Sequence, residues 1–354
     1  MSITMIGLDT AKSVFQVHAV DDAGKAVMRR KLRRSELIPF FEQQEACTVV
    51  VEACGAAHHW ARLLGGLGHE VRLIAPEVRL IAPEVVKPFV KKGKKNDAAD
   101  AAAICAAASR PEVRFVPAKS LEQQGTLALH SARSLLVKQQ TMLANALRGL
   151  ATEFGLTVPQ GIGRLDELRA LVEADETFPE RARQVFARLL EHCRLTAEGI
   201  EAFEAGIVAH ARRDDIARRL ATIPGVGPIT ASLIAATVSD IGAFESARHF
   251  AAWLGLVPRQ RSTGGKTRLG RITKTGNREI RRLLVLGATS MVYRAEHWSS
   301  AAGAWTRGLL ERRPVRLVTV ALANKMARIA WALMTRKEVY RAKGRAAAAA
   351  QAVA

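Results

Sequence analysis

The run CTVVVEA at residues 47–53 most constrains what this chain can fold into, because three successive valines leave no polar side to face water. A strand apolar on every residue has to be covered on both faces, the situation of a parallel strand between helical layers. Its surroundings agree. ITMIGLD at 3–9 and VFQVHAV at 14–20 read as strands, and DDAGK at 21–25 is turn chemistry leading into a third strand near AVMRRKL. SELIPFFEQQ and AAHHWARLLGGLG read as helices, with HEVRLIA as the strand after them.

Three meandering strands followed by strand and helix alternation is the order expected of a ribonuclease-H-like α/β domain. Asp9 ends the first strand and Glu52 ends the strand expected beside it. Asp97 and Asp100, three apart in KNDAADAAAI, share one face of a later helix. Such carboxylates can converge on a pocket for two divalent cations about 4 Å apart, the device for in-line attack on a phosphodiester. Packed that closely they repel one another unless cations lie between them. Lys91, Lys92, Lys94 and Lys95 come just before and are placed to meet a phosphate backbone. For Asp97 alone an ordinary helix start, with Asn96 as N-cap, explains the residue as well. Asp9 and Glu52 at strand ends shift the balance.

Charge points the same way. The 53 lysines and arginines against 33 acids give a net charge of +20, which calls for a polyanionic partner, with nucleic acid the default. The beginning MSITMIGLD has no signal-peptide pattern and no apolar run approaches about 20 residues, so the expectation is a cytoplasmic protein without a membrane partner. Cys47, Cys54, Cys105 and Cys193 are scattered and read as small core residues. VRLIAPE at 71–77 is repeated at 78–84; only one copy is expected to occupy a strand, the other lengthening the connection to the acidic helix.

From residue 119 the pattern turns helical. Ser120 and Gln123 suit a capping box, and Leu127, Leu135, Met142, Leu143, Leu147 and Leu150 form an apolar stripe on a helix of about 30 residues. Leu189, Cys193, Thr196, Ile200, Phe203 and Ile207 alternate four and three apart, the spacing of a short coiled-coil seam that serves either a dimer or packing within the chain. In LATIPGVGPITASLIAAT at 220–237 two helical stretches meet at P-G-V-G, a hairpin able to turn the N–H groups of Gly225 and Gly227 towards a phosphate; a plain helix turn is the alternative. Between Pro258 and Arg282, nine basic residues (Arg259, Arg261, Lys266, Arg268, Arg271, Lys274, Arg278, Arg281, Arg282) accompany one acid, Glu279. A solvated basic loop would account for the charge. It would leave unexplained Ser262 and Thr263 before Gly264 and Gly265, hydroxyls ringed by guanidinium groups where a phosphoryl group can be held for attack.

GLDTAK with Asp9, VVEACGAAHHWAR with Glu52, KNDAADAAAI with Asp97 and Asp100, IPGVGPITA, and GLVPRQRSTGGKTRLGRITKTGNREIRRLL together resemble the DEDD transposases of the insertion-sequence-110 family, the last motif being closer to its insertion-sequence-1111 subgroup. The resemblance runs from residue 3 to about residue 336. It implies a RuvC-like catalytic domain over 1–156, a helical coiled-coil connection over 157–214, a mainly α transposase domain with a helix-hairpin-helix-like motif over 215–340, and an Ala-rich tail over 341–354. It further implies an element-encoded guide RNA that pairs with donor and target DNA, and a homodimer or homotetramer as the active assembly. Asp9, Glu52, Asp97 and Asp100 would be catalytic ligands of magnesium, and Ser262, with Thr263 as the neighbouring alternative, the nucleophile of a covalent phosphoserine intermediate. The second VRLIAPE departs from the family's spacing between Glu52 and Asp97.

Two other classes fit parts of the sequence. A junction-resolving nuclease would use the same carboxylates to activate water and would not need Ser262. An actin-like ATPase or sugar kinase would use GLDTAKSVFQVHAVDDAGK as a phosphate hairpin, but no second hairpin follows and +20 suits DNA better than a nucleotide.

Overall fold

The computed structural model describes residues 2–10, 14–53, 56–74, 97–110, 115–263 and 266–342, the side chains of 97–99, 262, 263, 266 and 267 lying outside that description. Two compact units are formed. One comprises Met1–Leu121, Thr222–Gly225 and Val238–Ala354, the other Glu122–Ala221 and Val226–Thr237.

In the first unit, strands β1 (Met5–Thr10), β2 (Val14–Val20) and β3 (Ala26–Arg33) make the expected antiparallel meander. The valine run becomes β4 (Thr48–Glu52), parallel to β1 with Leu8 opposite Val51. β5 (Glu70–Ile74) follows in parallel and β6 (Phe115–Val116) runs back along it, giving the order β3-β2-β1-β4-β5-β6. VRLI of the first heptapeptide copy supplies β5; the second copy lies outside the described residues.

Period-2 alternation sorts the side chains onto two faces. Ile6, Leu8, Phe15, Val17, Leu32, Val49 and Val51 pack with α1 (Leu37–Glu42) and α2 (Ala57–Gly66), whose Phe41, Trp60 and Leu64 complete a core. Trp60 is 4% exposed, edge-on to Phe15 with the Arg34 guanidinium over its ring, so the aromatic after Glu52 is a packing residue. The other face receives α3 (Asp97–Ala108), where Val50, Ile74, Ile104 and Ala107 cluster with Met5 and Ala108. Cys47, Cys105 and Cys193 are buried free thiols, in keeping with small core residues; Cys54 lies outside the described residues.

The rest of the first unit is mainly helical around one hairpin. Helices α9 (Ala247–Trp253), α10 (Arg278–Tyr293), α11 (Ala301–Leu310) and α12 (Val315–Arg336) enclose Phe250, Ile280, Leu284, Val318, Leu322 and Met326. By length and composition α12 could cross a bilayer, yet Val318, Leu322, Met326, Ala330 and Met334 on it are buried against the protein itself.

The second unit is built on α4 (Leu121–Glu153) and α6 (Glu180–Arg213), antiparallel and capped by α5 (Leu165–Ala174). Ala144, Leu147 and Ala151 share a core with Phe186, Leu190 and Cys193, while Arg133 pairs with Glu204 at 2.6 Å near the other end. The seam read on α6 is therefore covered by α4 of the same chain and offers no argument for a dimer. Gly199 has a packing role: a Cβ there would come 2.8 Å from Leu136 Cδ1, so the missing side chain leaves room for that leucine. The apolar stripe expected on α4 is only partly inward. Leu135 and Met142 are 55% and 60% exposed, whereas Leu147 is buried together with Thr126, His130, Ala144 and Ala151. Helices α7 (Asp215–Leu220) and α8 (Pro228–Thr237) complete the unit. Buried Ser232 on α8 bonds His130 Nε2 of α4 at 3.0 Å and His210 Nδ1 of α6 at 3.1 Å, joining three helices.

Candidate active site

Gly7 sets the geometry at the sheet's centre. A Cβ there would stand 2.4 Å from the carbonyl oxygen of Ala101 and 2.7 Å from Cys105 Sγ, so α3 crosses β1 in near backbone contact. Cys105 Sγ also donates to the His18 carbonyl on β2 at 3.3 Å, and burial pushes that thiol up to about 11, keeping it protonated for the bond. With Ala101 over Gly7, and Ala107 and Ala108 in the cluster of Met5 and Val50, α3 runs against β1. Its first turn, with Asp97 and Asp100, thus lies towards the strand ends that carry Asp9 and Glu52.

Asp9 follows Leu8 as Glu52 follows Val51 in the parallel register, which puts both carboxylates in one cross-strand row. Both are also on α3's side, since Gly7 and Val50 two residues earlier meet α3. Asp9 and Asp100 are half-buried and Glu52 is exposed. Among the described residues no three acidic, histidine or cysteine side chains stand close enough to hold a metal ion; Asp97, the fourth carboxylate, contributes only its backbone to the description. The donor set, all carboxylate oxygen, is of the kind a hard divalent cation takes. Lys91, Lys92, Lys94 and Lys95 lie outside the described residues.

His58, at the start of α2, is engaged with Lys119. Its Nδ1 accepts the Lys119 backbone N–H at 3.1 Å, and its Nε2 lies 3.2 Å from Lys119 Nζ, while Arg62 donates to the Lys119 carbonyl at 2.6 Å. Burial, with the charges of Lys119 and Arg62, holds the imidazole down at about 4. The same burial lowers the Lys119 ammonium below the ordinary lysine range. These contacts clasp the chain just before α4.

The second group of candidate residues lies on an antiparallel hairpin, β7 (Pro258–Thr263) and β8 (Lys266–Ile272). Ser262 and Thr263 were expected in a loop; they are instead the last residues of β7, opposite Thr267 and Lys266. Gly264 and Gly265 between the strands lie outside the described residues. Arg259, Arg261, Arg268, Arg271 and Lys274 line a cleft of about 380 Å³. Arg278 is exposed at the start of α10, where the Asn277 side chain accepts the N–H groups of Glu279 and Ile280. Among the described residues three of the nine basic side chains bond within the protein, Arg259 donating to the Thr273 carbonyl at 3.2 Å. Arg281 donates to the carbonyls of Leu254 at 3.0 Å and Thr275 at 2.6 Å, fixing the hairpin's base, and Arg282 pairs with Glu279.

At the helical hairpin, Gly225 has φ +82° and packs against α10; a Cβ would lie 3.0 Å from the Gly287 carbonyl and 2.9 Å from Met291 Cγ. Gly227, by contrast, is exposed with open space where a Cβ would go. The residue sequence reasoning missed is Gly7, whose signal was a glycine inside an otherwise apolar strand two residues before the carboxylate.

Two carboxylates at the ends of adjacent parallel strands, in a chain that carries a basic hairpin, suit an enzyme that acts on nucleic acid. Comparison with known proteins narrows this. The profile described as "Transposase IS116/IS110/IS902 family" matches residues 217–303, and a DEDD transposase profile of the IS110 type matches residues 6–155. The chain is 48% identical over 346 residues to the "Putative transposase y4pF/y4sB" of Sinorhizobium fredii, covering 97% of this chain and 87% of that protein. It is 40% identical over 341 residues to the "Transposase for insertion sequence element IS1111A" of Coxiella burnetii, covering 96% and 92%. A similar match, 40% over 339 residues and 96% and 99% of the two chains, joins it to the "Transposase for insertion sequence element IS1328" of Yersinia enterocolitica. The chain belongs to the IS110/IS116/IS902 family of DEDD transposases, near the IS1111 and IS1328 proteins.

Proposed function

We propose that this DNA transposase is RNA-guided and cuts and rejoins DNA through a covalent bond to Ser262, assisted by magnesium at Asp9, Glu52, Asp97 and Asp100. The observation that carries the reading is the shared row and face of Asp9 and Glu52 at the end of the sheet towards which α3 begins. In this reading residues 1–156 supply the carboxylates, 157–214 a helical coiled-coil connection and 215–340 the serine and the hairpins. Two or four copies act together in the cytoplasm on donor and target DNA.

Ser262 Oγ loses its proton and attacks phosphorus; a P–O bond forms to serine while the bond to a deoxyribose oxygen breaks, and that oxygen leaves as a hydroxyl after taking up a proton. The phosphoserine bond conserves the energy for rejoining. Arg259, Arg261, Lys266, Arg268, Arg271 and Lys274 neutralise the phosphates on either side, with Arg278 and the N–H groups of Gly225 and Gly227 meeting backbone further along. Gly227 is the better placed of the two glycines, since Gly225 is already packed against Gly287. Lys91, Lys92, Lys94 and Lys95 add positive charge ahead of the acidic helix. Magnesium, when bound, supplies charge neutralisation and orients the phosphodiester.

A nuclease that uses water in place of Ser262 is the second reading, because the carboxylate row serves either nucleophile. Guidance is tested by recombination between two plasmids in the presence of RNA transcribed from the element's flank. The reading expects joining only with that RNA, and a new target when its pairing segment is rewritten; joining without RNA would end the guided reading.

A further inference from the structure

The edge strand β3 carries a feature that the proposed function does not use. Its sequence AVMRRKLR alternates, with Met28 and Leu32 in the α1/α2 core and Arg30 over the Phe40 ring on that same side. Period 2 then turns Arg29, Lys31 and Arg33 to the opposite face, the one that receives α3. The pairing agrees: Arg29 stands opposite His18, whose pKa is lowered by burial and then by the Arg29 charge. Lys31 stands opposite Gln16, and Gln16 opposite Asp9. One row therefore reads Lys31, Gln16, Asp9, and, one strand on, Glu52. All three β3 cations are exposed, and beside Arg33 the Glu36 carboxylate accepts its backbone N–H at 2.7 Å.

We propose that Arg29, Lys31 and Arg33 form a phosphate rail for the DNA strand whose phosphodiester reaches Asp9 and Glu52. Neighbouring strands lie about 4.8 Å apart, so Lys31 is roughly 10 Å from Asp9 across the sheet; same-face residues are roughly 7 Å apart along β3, which spreads the three charges over about 14 Å. β3 runs parallel to β1, since both are antiparallel to β2, so Arg33 lies at the sheet end that holds the carboxylates. A negatively charged strand held there has a cationic guide on one side of an anionic pocket that would otherwise repel it. DNA is the occupant because the row leads directly to the carboxylates, where the proposed reaction cuts DNA. The inference rests on that reading for its substrate.

Charged side chains on an edge strand also serve to prevent edge-to-edge pairing, and the experiment separates the two roles. Full-length protein with Arg29→Gln, Lys31→Gln and Arg33→Gln together is titrated with labelled element-end duplex DNA across a salt series, beside Arg30→Gln as a control from the opposite face. The rail predicts that the slope of log affinity against log salt becomes shallower by about 2 to 3, near 0.9 per lost phosphate contact, while Arg30→Gln keeps the parental slope. The single variant Lys31→Gln, expected to lose about 0.9, replaces the triple variant if that one aggregates. An unchanged slope accompanied by self-association, or a slope change seen with RNA and not with DNA, overturns the rail. Asp9→Asn in the same titration separates this from failure of the underlying reading: a variant that binds normally yet still cuts DNA defeats the carboxylate mechanism and leaves the rail's slope standing.

Discussion

The carboxylate end of the sheet and the basic hairpin are held in opposite ways. Asp9 and Glu52 extend from strands whose Ile6, Leu8, Val49, Val50 and Val51 are wholly buried between α2 and α3, so their spacing is set by the core. Ser262 and its arginines are on two paired strands with Leu269 67% exposed, anchored chiefly at the base, where Thr273 donates to the Val257 carbonyl and Lys274 to that of Gly255. A two-stranded hairpin has little stability of its own. The difference suits the proposed chemistry, in which cation ligands would need fixed positions and groups that hold phosphates would tolerate adjustment.

That contrast would break most visibly at Asp9, a ligand in the proposed reading. Asp9→Asn should lower DNA cleavage by more than about a hundredfold, beyond what losing a group behind a ligand costs, with DNA affinity within about twofold. A gel assay of end-labelled duplex reads the first and a titration the second. Gly7→Val should come next, since its side chain would enter the space of the Ala101 carbonyl and Cys105 Sγ. We expect a loss of about 1–3 kcal/mol in urea unfolding and a fall in cleavage as α3 is displaced, with hairpin-dependent binding retained. On the hairpin side, Arg259→Gln and Arg268→Gln together should leave stability unchanged and make the salt dependence of DNA binding shallower by about 1.8. If they destabilise the fold as Gly7→Val does, the distinction between the two regions fails.

The smallest effect concerns His58. With its pKa held at about 4 in the fold against 6.5 when free, the unfolded chain binds a proton that the fold rejects. Stability is therefore full above about pH 6.5 and declines as pH falls towards 4. His58→Gln should flatten that part of the profile in thermal unfolding at several pH values, and an unaltered profile would remove His58 from the clasp.

What the residues disclosed follows from how local each signal is. The valine run and the meander identified the sheet because burial on both faces allows one arrangement, and the strand-end positions of Asp9 and Glu52 came with it. The α4 stripe is only partly inward because the residues that meet α6 include Leu129 and Leu136, set against Gly206 and Gly199, whereas Leu135 and Met142 turn outward, and the mere presence of apolar residues does not say which of them a neighbour covers. The seam on α6 was visible, but a heptad does not say whether its partner is another chain, and here α4 covers it. From the glycines that follow it Ser262 reads as a loop residue; the register that puts it on β7, opposite Thr267, is one that alternation alone does not reveal. The β3 rail was equally hidden, since the face a strand's charges take is defined only once its register is known.

Covalent trapping tests the central claim most directly. Purified protein, magnesium, flanking RNA and labelled donor and target DNA are incubated, denatured and resolved on a gel. The account predicts a protein–DNA adduct that disappears in Ser262→Ala and in Asp9→Asn while both variants still bind DNA. Cut DNA with no adduct, or an adduct that persists in Ser262→Ala, would contradict it.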